Sequence, residues 1–121
     1  ESLDCIKCHV NNFKINNPKT NKQIQVSPYS DFLLHDMGEG LTDNRSEFKA
    51  NKNEWRTALL WGLALHEKIN KKKPRLLHDG RARNFQEAIL WHGGEASNAK
   101  KQYMNLPKET RKELLEFLRS I

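Results

Sequence analysis

Two thiols and an imidazole stand within five residues near the amino terminus, as Cys5-Ile6-Lys7-Cys8-His9. Cysteines three apart with a histidine directly after them are what covalent haem attachment needs. Each thiol can add to one haem vinyl group as a thioether, and His9 can then swing under the ring and ligate the iron. The chain has two cysteines in all, and this use takes both. A thioredoxin-like redox CxxC expects a βαβ setting, which the flanking sequence does not offer. A zinc site needs two further ligands at finger-like spacing, and His66, His78 and His92 are too scattered to supply them. The motif therefore predicts one covalent haem c and its iron, held by Cys5, Cys8 and His9.

Composition fits a chain that leans on a cofactor. The 121 residues suit a single domain over 1–121. Only 36% of them are apolar, and the mean hydropathy is −0.86. A buried haem adds an apolar plate to so thin a core, and the chain without it is expected to fold poorly, since the group stabilises only the native state. The net charge is +6, from 21 Lys and Arg against 15 Asp and Glu. These charges are dispersed and accompany no nucleic-acid motif, so nucleic acid is not the expected partner. The one dense run, Lys68 to Arg75, reads as a solvated loop, or as a docking patch that speeds encounter with an acidic redox partner. No stretch of about 20 apolar residues is present, so no membrane span is expected. Covalent haem attachment normally takes place outside the cytoplasm. The chain thus reads as a processed or excised segment of an exported, periplasmic protein, with a helix expected upstream of the CxxCH.

Several elements are legible around the motif. Residues 1–9 form a helical turn. Alternation in Phe13-Lys14-Ile15 and Gln23-Ile24-Gln25-Val26, across the turn residues Asn16 to Asn21, predicts a hairpin ending at Pro28. Residues 29–53 read as an ordered loop, interrupted by Gly38 and Gly40. Trp55, Leu59, Leu60, Trp61, Leu63 and Leu65 predict a short helix or two turns over 54–67. Asn84 is the expected N-cap of a helix over 85–92, with Glu87 as its box partner. On that helix Phe85, Ala88, Ile89 and His92 share one face, and Gly93-Gly94 stops it. A further helix is expected over 95–105, with Ala99, Tyr103 and Met104 inward. The last begins near Pro107, and Leu114, Leu115, Phe117, Leu118 and Ile121 give it an apolar stripe.

Tyr29 to Gly40, Glu54 to Leu63, Leu77-His78-Asp79-Gly80-Arg81-Ala82-Arg83 and Glu87 to Ala96 carry a family resemblance. They resemble, in order after a CxxCH, the C-terminal haem domain of bacterial di-haem oxidoreductases. That thiol oxidoreductase-like family is similar to the di-haem cytochrome c peroxidase and MauG group. The resemblance implies a mainly α, class I cytochrome c-like haem domain with a small β-hairpin insertion after the CxxCH. It also implies a periplasmic location, redox chemistry and two haem domains in one polypeptide, whereas this chain has one CxxCH.

The resemblance also bears on the sixth iron ligand. His92 lies fourteen residues after His78, an offset like that at which relatives place Met or Tyr, so His92 is the expected distal ligand. A plain core histidine is the alternative use of a lone His on an apolar face. Met37, between Asp36 and Gly38 on a loop, is the alternative ligand, and His35 a weaker one. Two imidazoles favour ferric iron more than a Met/His pair does, so His92 implies the lower potential. Propionates call for cationic or hydrogen-bonding partners, and Arg56 and Arg81, then Arg83, are the arginines that could fork onto them. Trp55 and Trp61 could donate an indole N–H or pack on the ring. His78 is expected to fix its turn, and Trp91 to pack in the core. Six-coordinate iron would make the chain an electron-transfer module between a redox partner protein and a second haem. The competing expectation is a peroxidase-like oxidoreductase active at its own iron, or as half of a di-haem enzyme. A basic binding module with an incidental CxxCH is the third possibility.

Overall fold

The computed structural model describes residues 3–70 and 74–121. Lys71, Lys72 and Lys73 of the basic run lie outside the described residues. The expected hairpin forms: β1 (Phe13–Asn16) pairs antiparallel with β2 (Gln23–Val26), with Ile15 opposite Ile24. A second pair joins β3 (Leu34–Asp36) to β4 (Glu54–Arg56), with His35 opposite Trp55. Four α-helices follow: α1 (Leu63–Asn70), α2 (Phe85–Trp91), α3 (Ser97–Asn105) and α4 (Lys108–Leu118). Short 3-10 turns occupy Asp4–Lys7, Glu39–Leu41 and Gly94–Ala96.

This architecture corrects the mainly α, cytochrome c-like expectation. The four helices span only seven to eleven residues and share the chain with two small antiparallel sheets. The second sheet occupies residues expected to be loop and helix. Its cause is local side-chain bonding just before β4. The Asn53 N–H donates to Asn51 Oδ1 at 2.9 Å, and the Asn51 N–H donates to Glu54 Oε2 at 2.8 Å. Such bonds hold the backbone in a turn in place of helix, and the next three residues then add to β3. Helix is delayed to Leu63 by Gly62, whose φ of +78° lies outside helical space.

The other expected helices form, with adjustments. Asn84 caps α2 by accepting from the Glu87 N–H at 2.8 Å. The Glu87 carboxylate reaches past the cap to the N–H and Nε of Arg83, both at 3.0 Å. On α3, Tyr103 is buried but Met104 is 56% exposed, contrary to its expected inward place. The haem-motif turn is pinned to α3: the Asp4 N–H donates to Gln102 Oε1 at 2.9 Å, and Asn98 Nδ2 donates to the Asp4 carboxylate. At the far end, the Ala64 N–H donates to Ile121 O at 2.9 Å and joins α1 to the last residue.

The core is thin, as composition predicts. Among the described residues the buried apolar side chains are Leu41, Ala82, Phe85 and Tyr103, with Pro28 and Pro74, and fifteen large ones are exposed. The accessible surface is 8889 Å², whereas a compact monomer of 14.2 kDa exposes about 6800 Å². The fifteen exposed large apolar side chains contribute to that excess.

Candidate haem site

The Asp4–Lys7 turn ends in a backbone bond from the His9 N–H to Cys5 O at 2.9 Å. Both thiols and the imidazole therefore sit on one tight turn. The two cysteines are unpaired and half-buried. Burial raises both thiol pKa values, and the Asp31 and Glu95 carboxylates push Cys8 further the same way.

His9 is fixed by its own ring. Its Nδ1–H donates to Tyr29 O at 2.8 Å, which leaves Nε2 as the free lone pair. His92 sits at the C-cap of α2, and its Nδ1–H donates to Ala88 O, also at 2.8 Å. That bond satisfies a carbonyl at the open end of the helix and again leaves Nε2 free. Burial lowers the pKa of both rings, against the raising effect of those carbonyls, so both favour the neutral form that binds metal. A backbone carbonyl on Nδ1 is the usual orienting partner of a metal-binding imidazole.

The two ring centres are 6.4 Å apart, with the planes tilted by 47°. A metal between two imidazoles needs two bonds of about 2 Å, plus about one ångström of ring on each side, which comes to about 6 Å. The donor set thus fits a haem iron: two neutral imidazoles at bridging distance, two thiols on the same turn, and uncovered apolar surface. Met37 contributes backbone here. Its N–H donates to Asn53 O at 2.9 Å, and its carbonyl abuts Gly93.

Two features join the His9 side to the His92 side. The first is a seam of glycines. A Cβ on Gly38 would meet Gly94 N at 2.8 Å, one on Gly93 would meet Met37 O at 2.8 Å, and one on Gly94 would overlap Asp36 O. The segment just after His92 therefore lies backbone to backbone against residues 36–38. The second is His35. Its Nε2–H donates to Asp31 Oδ2 at 2.7 Å and its Nδ1–H to Glu95 Oε2 at 2.9 Å. Glu95 also accepts the Asp36 N–H at 2.9 Å. With both nitrogens donating, His35 is an imidazolium and offers iron no lone pair.

The charges respond accordingly. Glu95 and then Asp31 raise the His35 pKa, against desolvation. Bonding to His35 lowers Glu95; burial pushes Asp31 up, but its bonds to Leu33, His35 and Thr57 carry it below the usual value. The sign of the stability effect follows by linkage. The His35 contribution is complete below its ordinary value of 6.5 and is lost as pH rises through the raised folded one. The carboxylate contributions are present above 3.8 for Asp31 and 4.5 for Glu95, and are lost on acidification. Thermal melts of wild type and His35→Gln should therefore differ most between 4.5 and 6.5 and converge on the alkaline side. A difference that stays constant into alkali would show that His35 makes no charged bonds.

The remaining sequence-predicted residues form a separate cluster. Trp55 donates its indole N–H to Leu41 O at 2.9 Å and stacks on His78, ring centres 3.5 Å apart. Arg81 donates Nε to Asp79 at 2.6 Å and a terminal N–H to Gly40 O, and lies 4.8 Å over the Trp91 ring. Trp91, expected in the core, is 38% exposed beneath that guanidinium. Arg56 is exposed on β4, Arg83 pairs with Glu87, and Trp61 is 54% exposed. The chain thus brings His9 and His92 together beside the turn that carries Cys5 and Cys8, while the described contacts of Arg81 and Trp55 run to Asp79, Gly40, Trp91, Leu41 and His78. Asp31 and Glu95 were missed from sequence, although Gly93-Gly94-Glu95 directly after His92 was a visible signal.

Neither a curated protein nor a solved structure matches the chain. A family model described as "di-haem oxidoreductase, putative peroxidase" matches residues 1–121, the whole of it. The chain belongs to the di-haem oxidoreductase family.

Proposed function

We propose that this chain carries one covalent haem on Cys5 and Cys8, with iron between His9 and His92, and that it transfers single electrons. The observation that carries the reading is the pair of neutral imidazoles, each tied through Nδ1 to a backbone carbonyl, with ring centres 6.4 Å apart. When bound, the haem supplies a one-electron ferric/ferrous couple. The residues of the chain do the rest. Tyr29 O and Ala88 O hold His9 and His92 in the tautomer that presents Nε2. If His9 and His92 both held the iron, no position on it would be left to peroxide, and the chemistry the group would supply is electron transfer.

The family name calls for two haems, and this chain has one CxxCH. The second haem belongs, in this reading, to a partner domain, with the protein exported to the periplasm where attachment takes place. The word peroxidase in the family description supports one alternative, in which His92 leaves the iron and substrate enters.

The test is the chain expressed with a c-type maturation system and exported. A mass increase of one haem that survives denaturation, lost in the Cys5→Ser/Cys8→Ser double variant, is the expected result. The ferric spectrum should be low-spin. Colourless protein of bare-chain mass refutes haem binding. A high-spin spectrum that changes on adding peroxide favours the peroxidase alternative.

A further inference from the structure

His35 does more than occupy a strand. Asp31 lies two residues beyond Tyr29, the residue whose carbonyl orients His9. Glu95 lies three residues beyond His92. One ring bonds both, at 2.7 Å and 2.9 Å, and it is largely shielded from water, at 16% side-chain exposure. Each bond joins a cation to an anion, the stronger kind of hydrogen bond. The Asp31 side of the strap is anchored in turn. The Ser30 hydroxyl donates to Thr57 O at 2.8 Å, and the Ser30 N–H donates to Val10 O at 3.0 Å, next to His9. The Glu95 side is anchored by its second oxygen on the Asp36 N–H. An unbroken path therefore runs from the support of one imidazole to the segment that follows the other, and its only ring is His35.

We infer that His35 is a positioning residue that fixes the separation of the His9 and His92 imidazoles by tying Asp31 to Glu95. The inference rests on the reading of iron between those two rings. His35 touches no iron in this account and acts through the two carboxylates. Loss of either bond frees the segment after His92, and His92 then yields more readily to a competing ligand. Removing a direct outer partner of a metal ligand typically costs about 10- to 100-fold in affinity, and His35, which acts one step further out, is expected at the low end of that range.

The experiment uses the exported holoprotein, reduced, with carbon monoxide as the competing ligand. Each variant is first checked for folding by circular dichroism and for low-spin ferric bands. Glu95→Ala, at a side chain 56% exposed, cuts the strap without opening the core, and it serves even if His35→Gln fails to fold. Both are expected to bind carbon monoxide about tenfold faster than wild type. Glu95→Gln should also bind carbon monoxide faster than wild type, because its single amide oxygen can accept the Asp36 N–H or the His35 Nδ1–H but not both. Lys52→Ala, which removes only the exposed Lys52–Glu39 pair, should leave the rate unchanged. If wild type is low-spin but Glu95→Ala and His35→Gln bind carbon monoxide at its rate, the positioning role is overturned and the electron-transfer reading stands. If the rate rises in Glu95→Ala but not in His35→Gln, the Glu95–Asp36 bond and not the strap is responsible, and the inference fails. If wild type itself is high-spin, the iron-ligand reading fails and takes this inference with it.

Discussion

With iron held as proposed, His92→Ala is expected to convert the ferric haem from low-spin to high-spin while leaving it covalently attached. The argument runs from the helix outward. His92 sits where α2 ends, and its ring lends a proton to Ala88 O. Alanine keeps the backbone bond to Ile89 O at 3.2 Å but offers neither the ring bond nor a metal donor. The lost ring bond costs about 0.5–1.5 kcal/mol, too little to unfold a domain of ordinary stability. The loss of the His92 imidazole, by contrast, would take one of the two proposed donors from the iron and open it to added ligands. Cys5, Cys8 and His9 lie on another segment, so attachment persists. Met37→Ala is the companion variant, expected to leave the low-spin bands in place. If Met37→Ala alone removes those bands, the thioether is the ligand. If neither variant changes them, both assignments fall.

Gly94→Ala is expected to be the most damaging small substitution in the chain, and Gly62→Ala shows why. Both glycines hold positive φ, +50° at Gly94 and +78° at Gly62. An alanine at either pays about 1–2 kcal/mol for left-handed backbone. Around Gly62 there is room, since the nearest atom to an added Cβ is Leu65 Cδ1 at 3.8 Å. Around Gly94 there is none: the methyl would overlap Asp36 O and approach Gly38 N at 2.7 Å. Those are backbone atoms of a paired strand end, and they cannot turn aside as a side-chain tip can. Forcing them apart adds about 1–3 kcal/mol of overpacking, so Gly94→Ala should lose about 2–5 kcal/mol in total. It should also weaken the low-spin bands, because the displaced segment follows His92 directly. Denaturant unfolding with the haem spectrum in parallel checks both. Equal losses at the two positions would mean that the seam does not press on the ligand.

What the sequence revealed was local, and what it concealed was distant. Cys5, Cys8 and His9 share one turn. Asn84 caps a helix whose cap partner is three residues on, and the β1–β2 hairpin follows from alternation across a short turn. Each is decided by neighbours along the chain. The place of His92 at the end of α2 was legible from that helix, whereas its expected role as a ligand came from the family resemblance. The β3–β4 pair was not visible. It joins three-residue strands twenty residues apart, and the Asn51 and Asn53 bonds that redirect the chain resemble any polar loop. The strap was hidden for the same reason, since Glu95 lies sixty residues beyond His35. Gly38 and Gly94 were legible as helix breakers, but not as the two sides of one contact. Arg81 shows another distant arrangement: its guanidinium bonds Asp79 and Gly40 and lies over Trp91, contacts that span up to 41 positions and left no mark in the local sequence.

The bond from the Asp4 N–H to Gln102 spans 98 positions of the chain. Closing so long a loop carries a large entropic cost, and contacts between remote segments tend to form late in folding. The turn that bears the thiols therefore lacks its docking surface until synthesis has passed α3. The turn that carries the two half-buried sulfurs is thus held from far along the chain, by Gln102 and Asn98.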